Sequence, residues 1–234
     1  MTQDQKTPKE LFEKSNLPYI YFILRPLGKI LIPVFIKIGT SPNQVSILSI
    51  FISIIGITFI SMGNLSNNII GVIVLQIGLV LDMTDGDLAR RLGKTSLQGE
   101  LLDSVGGFLR GAILMPAIGI SIYLSAENKF LNLNEITELQ PYIYIYIGMT
   151  TSVLILLSRI ISLKYKSIIN KPFRESTNFL SKLSLHFEDL MNPLLIICAL
   201  TKTFNLLLIG YFIYYFMALI YTILSSYRKS ANMS

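Results

Sequence analysis

Four aspartates in one short segment are the residues of this chain best suited to chemistry. They are Asp82, Asp85, Asp87 and Asp103. Asp82 and Asp85 are three residues apart, so on a helix they lie on the same face. The chain has a single cysteine and a single histidine, which excludes a cysteine-based metal cage and a multi-histidine metal site. Carboxylate oxygens are the remaining metal ligands, and they suit Mg²⁺ or Mn²⁺.

Small residues accompany these acids at helical spacing. Gly86 and Ala89 follow Asp82 on its helix face, and Gly99 precedes Asp103 by four residues. Two antiparallel helices joined by a short polar loop would bring the two faces together. The absence of bulky side chains beside the acids leaves room for a ligand.

The energetics of burial favour a bound cation at this position. Placing a carboxylate at membrane depth costs about 2.5–3.5 kcal/mol of free energy on insertion scales. Clustered carboxylates also repel one another. A divalent cation would remove both penalties. The alternative is a solvated helix end whose acids pair with Arg90, Arg91 and Lys94. The small residues weigh against that alternative, because a merely solvated helix end would favour larger side chains.

The segment from Asp82 to Asp103 resembles the signature of the CDP-alcohol phosphatidyltransferases. That signature reads DxxDGxxAR, eight residues, then GxxxDxxxD. The chain carries all seven fixed residues up to Asp103 at the required spacing, with no gap. The sequence Ser-Pro-Asn at 41–43, at the start of the first apolar stretch, is also similar to the family.

The resemblance implies a function and a set of site residues. It implies metal-dependent transfer of a phosphatidyl group from a CDP-linked donor, with CDP-diacylglycerol expected, to a polar alcohol in phospholipid synthesis, with release of CMP. The metal ligands would be Asp82, Asp85 and Asp103, holding one or two Mg²⁺ or Mn²⁺ ions. The nucleotide would be bound by Gly86, Ala89, Arg90 and Gly99. The expected partners are the donor, the alcohol, membrane lipid and a second copy of the chain in a homodimer, but no nucleic acid.

The signature breaks at its last position, where the family has a fourth acid and this chain has Gly107. In the family that acid is taken as the base that deprotonates the acceptor hydroxyl. Three interpretations follow. Glu100 or Asp87 supplies the base, the acceptor needs little deprotonation, or the chain is an inactive CDP-binding, lipid-binding or scaffold homologue.

Two arginines fall inside apolar stretches, Arg110 seven residues after Asp103 and Arg159 further along the chain. A cation at membrane depth is costly without an anionic partner. We therefore expect them to contact a phosphate of the acceptor or of a lipid headgroup. Snorkelling or a structural ion pair is the alternative.

The composition indicates the elements that must position these residues. Hydrophobic residues make up 52% and charged residues 15% of the 234 residues, whereas soluble domains are about a quarter charged. This excludes a disordered chain and argues strongly against a soluble globule. Six apolar stretches each predict a membrane-spanning helix, and they cover residues 45–62, 69–81 (continuing as helix to 92), 101–125, 141–163, 191–200 and 206–226.

The predicted fold is an all-α integral membrane protein with six transmembrane helices and a preceding interfacial amphipathic helix. That helix covers 16–39, where Arg25, Lys29 and Lys37 punctuate an apolar run. A first spanning helix is the alternative there. We expect a single domain over 1–234, with an interfacial segment 1–44, a bundle 45–226 and a tail 227–234. The polar first fifteen residues lack a signal peptide's apolar run, so the first span is expected to direct insertion.

Basic residues predict the orientation of the bundle. Seventeen of the twenty Lys and Arg lie before residue 45, at 90–94, at 159–182 or in the tail. The positive-inside rule therefore places both termini and the aspartate segment at the cytoplasmic face. A transporter would show repeated halves and broken helices, and a membrane prenyltransferase a second Asp-rich cluster. The sequence shows neither pattern.

The orientation can be tested by cysteine labelling. We expect Lys94→Cys, in a chain whose Cys198 is replaced by Ala, to react with an impermeant thiol reagent only from the cytoplasmic side. In intact cells the reagent reaches the outer side of the membrane, and in inverted membrane vesicles it reaches the cytoplasmic side. Labelling of intact cells would overturn the predicted orientation.

Overall fold

The computed structural model describes residues 19–125, 140–169 and 179–231, and these residues form helices with no strand among them. A π-helical turn at Ile20–Leu24 leads into the first α-helix. The α-helices are α1 (Arg25–Ile38), α2 (Pro42–Ser61), α3 (Leu65–Leu92), α4 (Leu97–Leu124), α5 (Ile143–Ile169), α6 (Phe179–Thr201) and α7 (Phe204–Ala231). The predicted all-α class is confirmed.

Five helices are long and apolar enough to cross a membrane, namely α2, α3, α4, α5 and α7. The apolar part of α6, Leu190–Thr201, is shorter. Length and composition thus fit an integral membrane protein with five clear spans, and a sixth span through α6 stays a prediction. Helix α1 has 14 residues and two prolines, at Pro26 and Pro33, and its placement in the interface also stays a prediction. The predicted start of that segment, residues 16–18, lies outside the described residues.

Local capping fixes where the helices around the aspartates begin and end. Ser41 caps α2 through a capping box with Gln44, in which each side chain bonds the other residue's backbone N–H. Helix α3 ends at Gly93, whose φ of 63° is the left-handed conformation that glycine adopts without strain. Ser96 then caps α4 by accepting a bond from Gly99 N. The link between α3 and α4 is therefore short and defined at both ends.

Helix α2 packs closely against α3 because glycines face one another. A Cβ on Gly56 would lie 2.6 Å from Leu75 N, and one on Gly71 would lie 2.6 Å from Gly56 O. Small residues at such crossings let membrane helices approach through their backbones. Helices α4 and α5 meet in the same way, since a Cβ on Gly148 would lie 2.5 Å from Met115 O.

The two aspartate-bearing helices, α3 and α4, make few direct contacts with each other. Helix α2 packs against both of them, and α5 packs against α4 on its other side. The sequence predicted that the small-residue faces of α3 and α4 would come together. Residues of both faces line one cleft, although the two helices make few direct contacts and α2 packs against both of them.

Candidate functional site

The seven fixed residues of the aspartate segment line one cleft of about 380 Å³. We call it the aspartate cleft. Its seven signature residues are Asp82, Asp85, Gly86, Ala89, Arg90, Gly99 and Asp103. Helices α1, α2, α3 and α4 and the link between α3 and α4 all contribute to its walls. The structure thus brings together residues that are up to 21 positions apart in the sequence.

Asp82 is buried in the aspartate cleft and contacts protein donors at both oxygens. Arg110 Nη2 donates to Asp82 Oδ2 at 2.9 Å, and the side chains of Asp82 and Arg110 are 7% and 15% exposed. Ser49 Oγ lies 3.5 Å from Asp82 Oδ1. The sequence offered an ion pair as one interpretation of Arg110, and the structure contains that pair.

Asp85 is also buried, but its hydrogen-bond partners differ from those of Asp82. Asp85 is 7% exposed, and its Oδ2 has no hydrogen-bond partner among the residues that the structure describes. A buried carboxylate oxygen without a donor is energetically unfavourable. The oxygen is therefore suited to a ligand that supplies positive charge or a hydrogen bond.

The aspartate cleft fits a divalent cation in the type of its ligands. Asp82, Asp85 and Asp103 offer oxygen atoms, which Mg²⁺ and Mn²⁺ prefer, and Asp85 Oδ2 is unpaired. Asp103 is exposed. Within residues 19–125, 140–169 and 179–231, however, no three Asp, Glu, His or Cys side chains lie close enough to share one ion.

A second cavity of about 370 Å³ adjoins the aspartate cleft, and we call it the arginine pocket. Its lining consists of Asp103, Ser104, Gly107, Phe108, Arg110, Ser158, Arg159, Ser162 and Leu163. Asp103 lines both cavities, and Arg110 reaches from this pocket to Asp82. The two cavities therefore meet at the α3–α4 acids.

The arginine pocket is rich in donors. Arg110 Nη1 and Ser158 Oγ are buried and have no hydrogen-bond partner in the described part of the chain. The Arg159 guanidinium lies 5.7 Å from the centre of the Phe108 ring, a cation–π arrangement. Two guanidinium groups beside an unpaired hydroxyl are typical of a site for a phosphate or carboxylate.

Position 107 lies beside one of these arginines. A Cβ built on Gly107 would have one neighbour within 4 Å, Arg159 Nη1 at 3.5 Å. A Cβ fits there in ordinary van der Waals contact. A carboxylate at this position would stand next to a guanidinium.

The two acids considered as substitute bases occupy different places. Glu100 lines the aspartate cleft together with the three signature aspartates. Asp87 does not line that cleft, and its carboxylate pairs with Arg90.

Sequence reasoning missed several residues of the aspartate cleft. Arg25 of α1, Asn43 and Ser46 of α2, and Lys94 of the link all line it. The sequence places Arg25 on the predicted interfacial helix, and no signal in the sequence links α1 to the aspartates. For Asn43, the available signal was the Ser-Pro-Asn sequence at the start of α2. Asn43 Oδ1 lies close to Gly99, since a Cβ built on Gly99 would be 3.3 Å from it.

A family model and two relatives match this chain. A family model described as CDP-alcohol phosphatidyltransferase matches residues 39–227. An archaetidylinositol phosphate synthase of Pyrococcus horikoshii is 33% identical over 97 residues, which are 42% of this chain and 50% of that protein. An uncharacterized protein of Aquifex aeolicus is 32% identical over 110 residues, 47% of this chain and 53% of that protein. The matches thus span about half the length of each of these relatives.

The buried pair of Arg110 and Asp82 should stabilise the fold. Replacing one partner leaves the other charge buried and unpaired, which costs about 3–5 kcal/mol. We expect Arg110→Met to lower the free energy of unfolding by about that amount in metal-free buffer, and Asp82→Asn in the same chain to recover part of it.

Reversible unfolding in mixed detergent micelles measures this effect. Arg91→Met is the matched control, because Arg91 is exposed at the end of α3 and surface changes stay within about 0.5 kcal/mol. Equal effects of Arg110→Met and Arg91→Met would show that the pair contributes nothing.

Proposed function

The chain belongs to the CDP-alcohol phosphatidyltransferase family, and we propose that it transfers a phosphatidyl group from CDP-diacylglycerol to a polar alcohol. The alcohol hydroxyl attacks the phosphorus attached to the lipid, the bond from that phosphorus to the CMP oxygen breaks, and CMP leaves. The reaction places the protein in phospholipid synthesis at a membrane. The observation that carries the proposal is the assembly of all seven signature residues in one cleft.

We place the CDP group of the donor in the aspartate cleft. Gly86, Ala89 and Gly99 line it without bulk, which leaves space for the nucleotide. Arg90 and Lys94 line the same cleft and would neutralise the charge of the pyrophosphate. Asp82, Asp85 and Asp103 would hold a divalent ion, which when bound stabilises negative charge on the phosphate oxygens.

We place the acceptor in the arginine pocket, next to Asp103. Arg159, Ser158 and the free Nη1 of Arg110 offer donors to an anionic group. We therefore propose that the acceptor is a phosphorylated alcohol. The name of the Pyrococcus relative, which contains inositol phosphate, supports that class of acceptor.

We propose Glu100 as the base that accepts the proton of the acceptor hydroxyl. Of the two acids considered, Glu100 lines the aspartate cleft and Asp87 does not. The Asp87 carboxylate also forms an ion pair with Arg90. The proposal accounts for Gly107, because the family's base position carries no acid in this chain.

Gly107 also supports a second candidate function, that of an inactive homologue that binds CDP-lipid. An inactive homologue would bind CDP without releasing CMP. The release of CMP is the measurement that distinguishes the two functions.

The direct test is an assay of the purified protein with CDP-diacylglycerol, Mg²⁺ or Mn²⁺ and a panel of acceptors. The panel pairs each phosphorylated alcohol with its free form, as inositol phosphate with inositol and glycerol phosphate with glycerol. We expect CMP release and a new lipid, identified by mass spectrometry, with a phosphorylated acceptor only. CDP binding without CMP release for any acceptor would favour the inactive homologue.

The metal dependence of CDP binding is a separate expectation. By calorimetry, CDP should bind only with Mg²⁺ or Mn²⁺ present, and Asp85→Asn should abolish that binding. The reason is that Asp85 provides a buried oxygen that is free to act as a ligand.

Asp87→Asn is the matched control for this measurement. It removes the same charge from the same helix, but at a residue that does not line the cleft. CDP should still bind to it with metal. Equal CDP affinity with and without a chelator in the wild-type protein would refute a metal-bridged site.

The identity of the base is tested by turnover. General base catalysis contributes about 10²–10⁴-fold, so Glu100→Gln should lower kcat by about that factor and leave CDP affinity within a few-fold. Gly107→Asp should not raise kcat, because its carboxylate would stand beside Arg159. If Gly107→Asp instead raises kcat by about 10²–10⁴-fold, the wild-type protein lacks a base.

A further inference from the structure

We propose that Arg25 of α1 binds the phosphate of the donor that is attached to the lipid and passes to the acceptor. The inference rests on the proposed function, because it takes the donor's CDP group to lie in the aspartate cleft. It goes beyond that function by assigning a residue outside the signature, on a helix that precedes it, to one of the donor's two phosphates.

Helix α1 packs against α3, and two contacts fix where Arg25 meets the cleft. Just before α1, the Tyr19 hydroxyl donates to Gln76 Oε1 at 2.9 Å, near the middle of α3. On α1 itself, Gly28 packs against α3, since a Cβ there would lie 2.8 Å from Thr84 Oγ1. Arg25 lies between Tyr19 and Gly28 along the chain. It therefore meets α3 in the stretch from Gln76 to Thr84, away from the α3–α4 link.

The aspartate cleft thus has an inner end, toward the middle of α3, and an outer end at the α3–α4 link. Among the described residues, three cations line the cleft, namely Arg25, Arg90 and Lys94. Arg90 lies in the last turn of α3 and Lys94 lies in the link, so both belong to the outer end. Arg25 lies at the inner end, where Asp82 is also found. The ion pairs formed within the described parts of the chain do not include Arg25.

The surface of α1 around Arg25 is apolar. Phe22, Ile23 and Leu27 are all exposed, and exposed apolar side chains on a helix beside a membrane suit contact with acyl chains. Arg25 itself is half-buried and lies where this apolar surface meets the polar cleft.

A CDP-linked lipid has the same polarity along its length. Its nucleotide is polar, its acyl chains are apolar, and the lipid-linked phosphate lies at the junction between them. With the nucleotide toward the outer end of the cleft, that phosphate comes to the inner end. The guanidinium of Arg25 can donate two parallel hydrogen bonds to phosphate oxygens there.

CDP and CMP test the assignment, because they differ only in the second phosphate, the one that carries the lipid in the donor. Binding of each nucleotide to the full chain in detergent micelles with Mg²⁺ is measured by calorimetry. We expect Arg25→Gln to weaken CDP binding about 10–100-fold, because charge-assisted hydrogen bonds are lost. CMP binding should stay unchanged. Arg25→Lys should weaken CDP binding less, because it keeps the charge and loses only the paired geometry.

Lys29→Gln is the matched control. Lys29 carries the same charge on the same helix, but it is exposed and does not line the cleft, so CDP binding should be unchanged. Three results would each overturn the assignment: an equal loss of CMP and CDP affinity in Arg25→Gln, an equal loss of CDP affinity in Lys29→Gln, or no loss in Arg25→Gln.

Chemical modification of the wild-type protein tests the inference without a variant. Phenylglyoxal modifies arginine side chains, and mass spectrometry identifies the modified residues. CDP should protect Arg25 and CMP should leave it reactive. Arg91, which is exposed and outside both cavities, should react equally in all samples. With CDP binding and CMP release intact, equal reaction of Arg25 beside CDP and CMP would overturn the inference and leave the proposed function standing. A wild-type protein that binds no CDP would overturn both.

Discussion

The burial of two carboxylates in a helix apolar enough to cross a membrane is the constraint on which the rest of this structure depends. Asp82 and Asp85 are both less than a tenth exposed, and a charged group in such surroundings requires a partner. The protein supplies a partner to Asp82, the guanidinium of Arg110. It leaves an oxygen of Asp85 unpaired among the described residues. The two acids on this helix face therefore differ in their partners.

The packing of α2 makes the constraint compatible with a cleft. Glycines bring α2 and α3 into backbone contact, and α2 also packs against α4 and contributes to the lining of the cleft. Helices α3 and α4 make few direct contacts with each other. The small signature residues and the acids of both helices line the aspartate cleft, in which we proposed to place the nucleotide.

Two cavities that share Asp103 suit a transfer between two substrates. In the proposed arrangement, the CDP group lies on the acidic side and the anionic acceptor on the basic side. Gly107 lines the arginine pocket, and a Cβ built on it would lie 3.5 Å from Arg159 Nη1. An acid at this position would pair with the arginine and compete with an anionic acceptor. The glycine at 107 is therefore consistent with the neighbouring arginine.

The sequence by itself determined the family, the all-α class and the seven cleft residues, because residue type and spacing along a helix fix which side chains share a face. It also located the five long apolar helices, since apolar runs must match the thickness of the bilayer. Only the tertiary structure decided which partner each buried charge has. It showed that Arg110 contacts Asp82, that Glu100 and not Asp87 lines the cleft, and that Arg25 reaches it from α1. These contacts join residues on different helices, and their distances depend on how the helices pack, which the spacing within one helix does not encode.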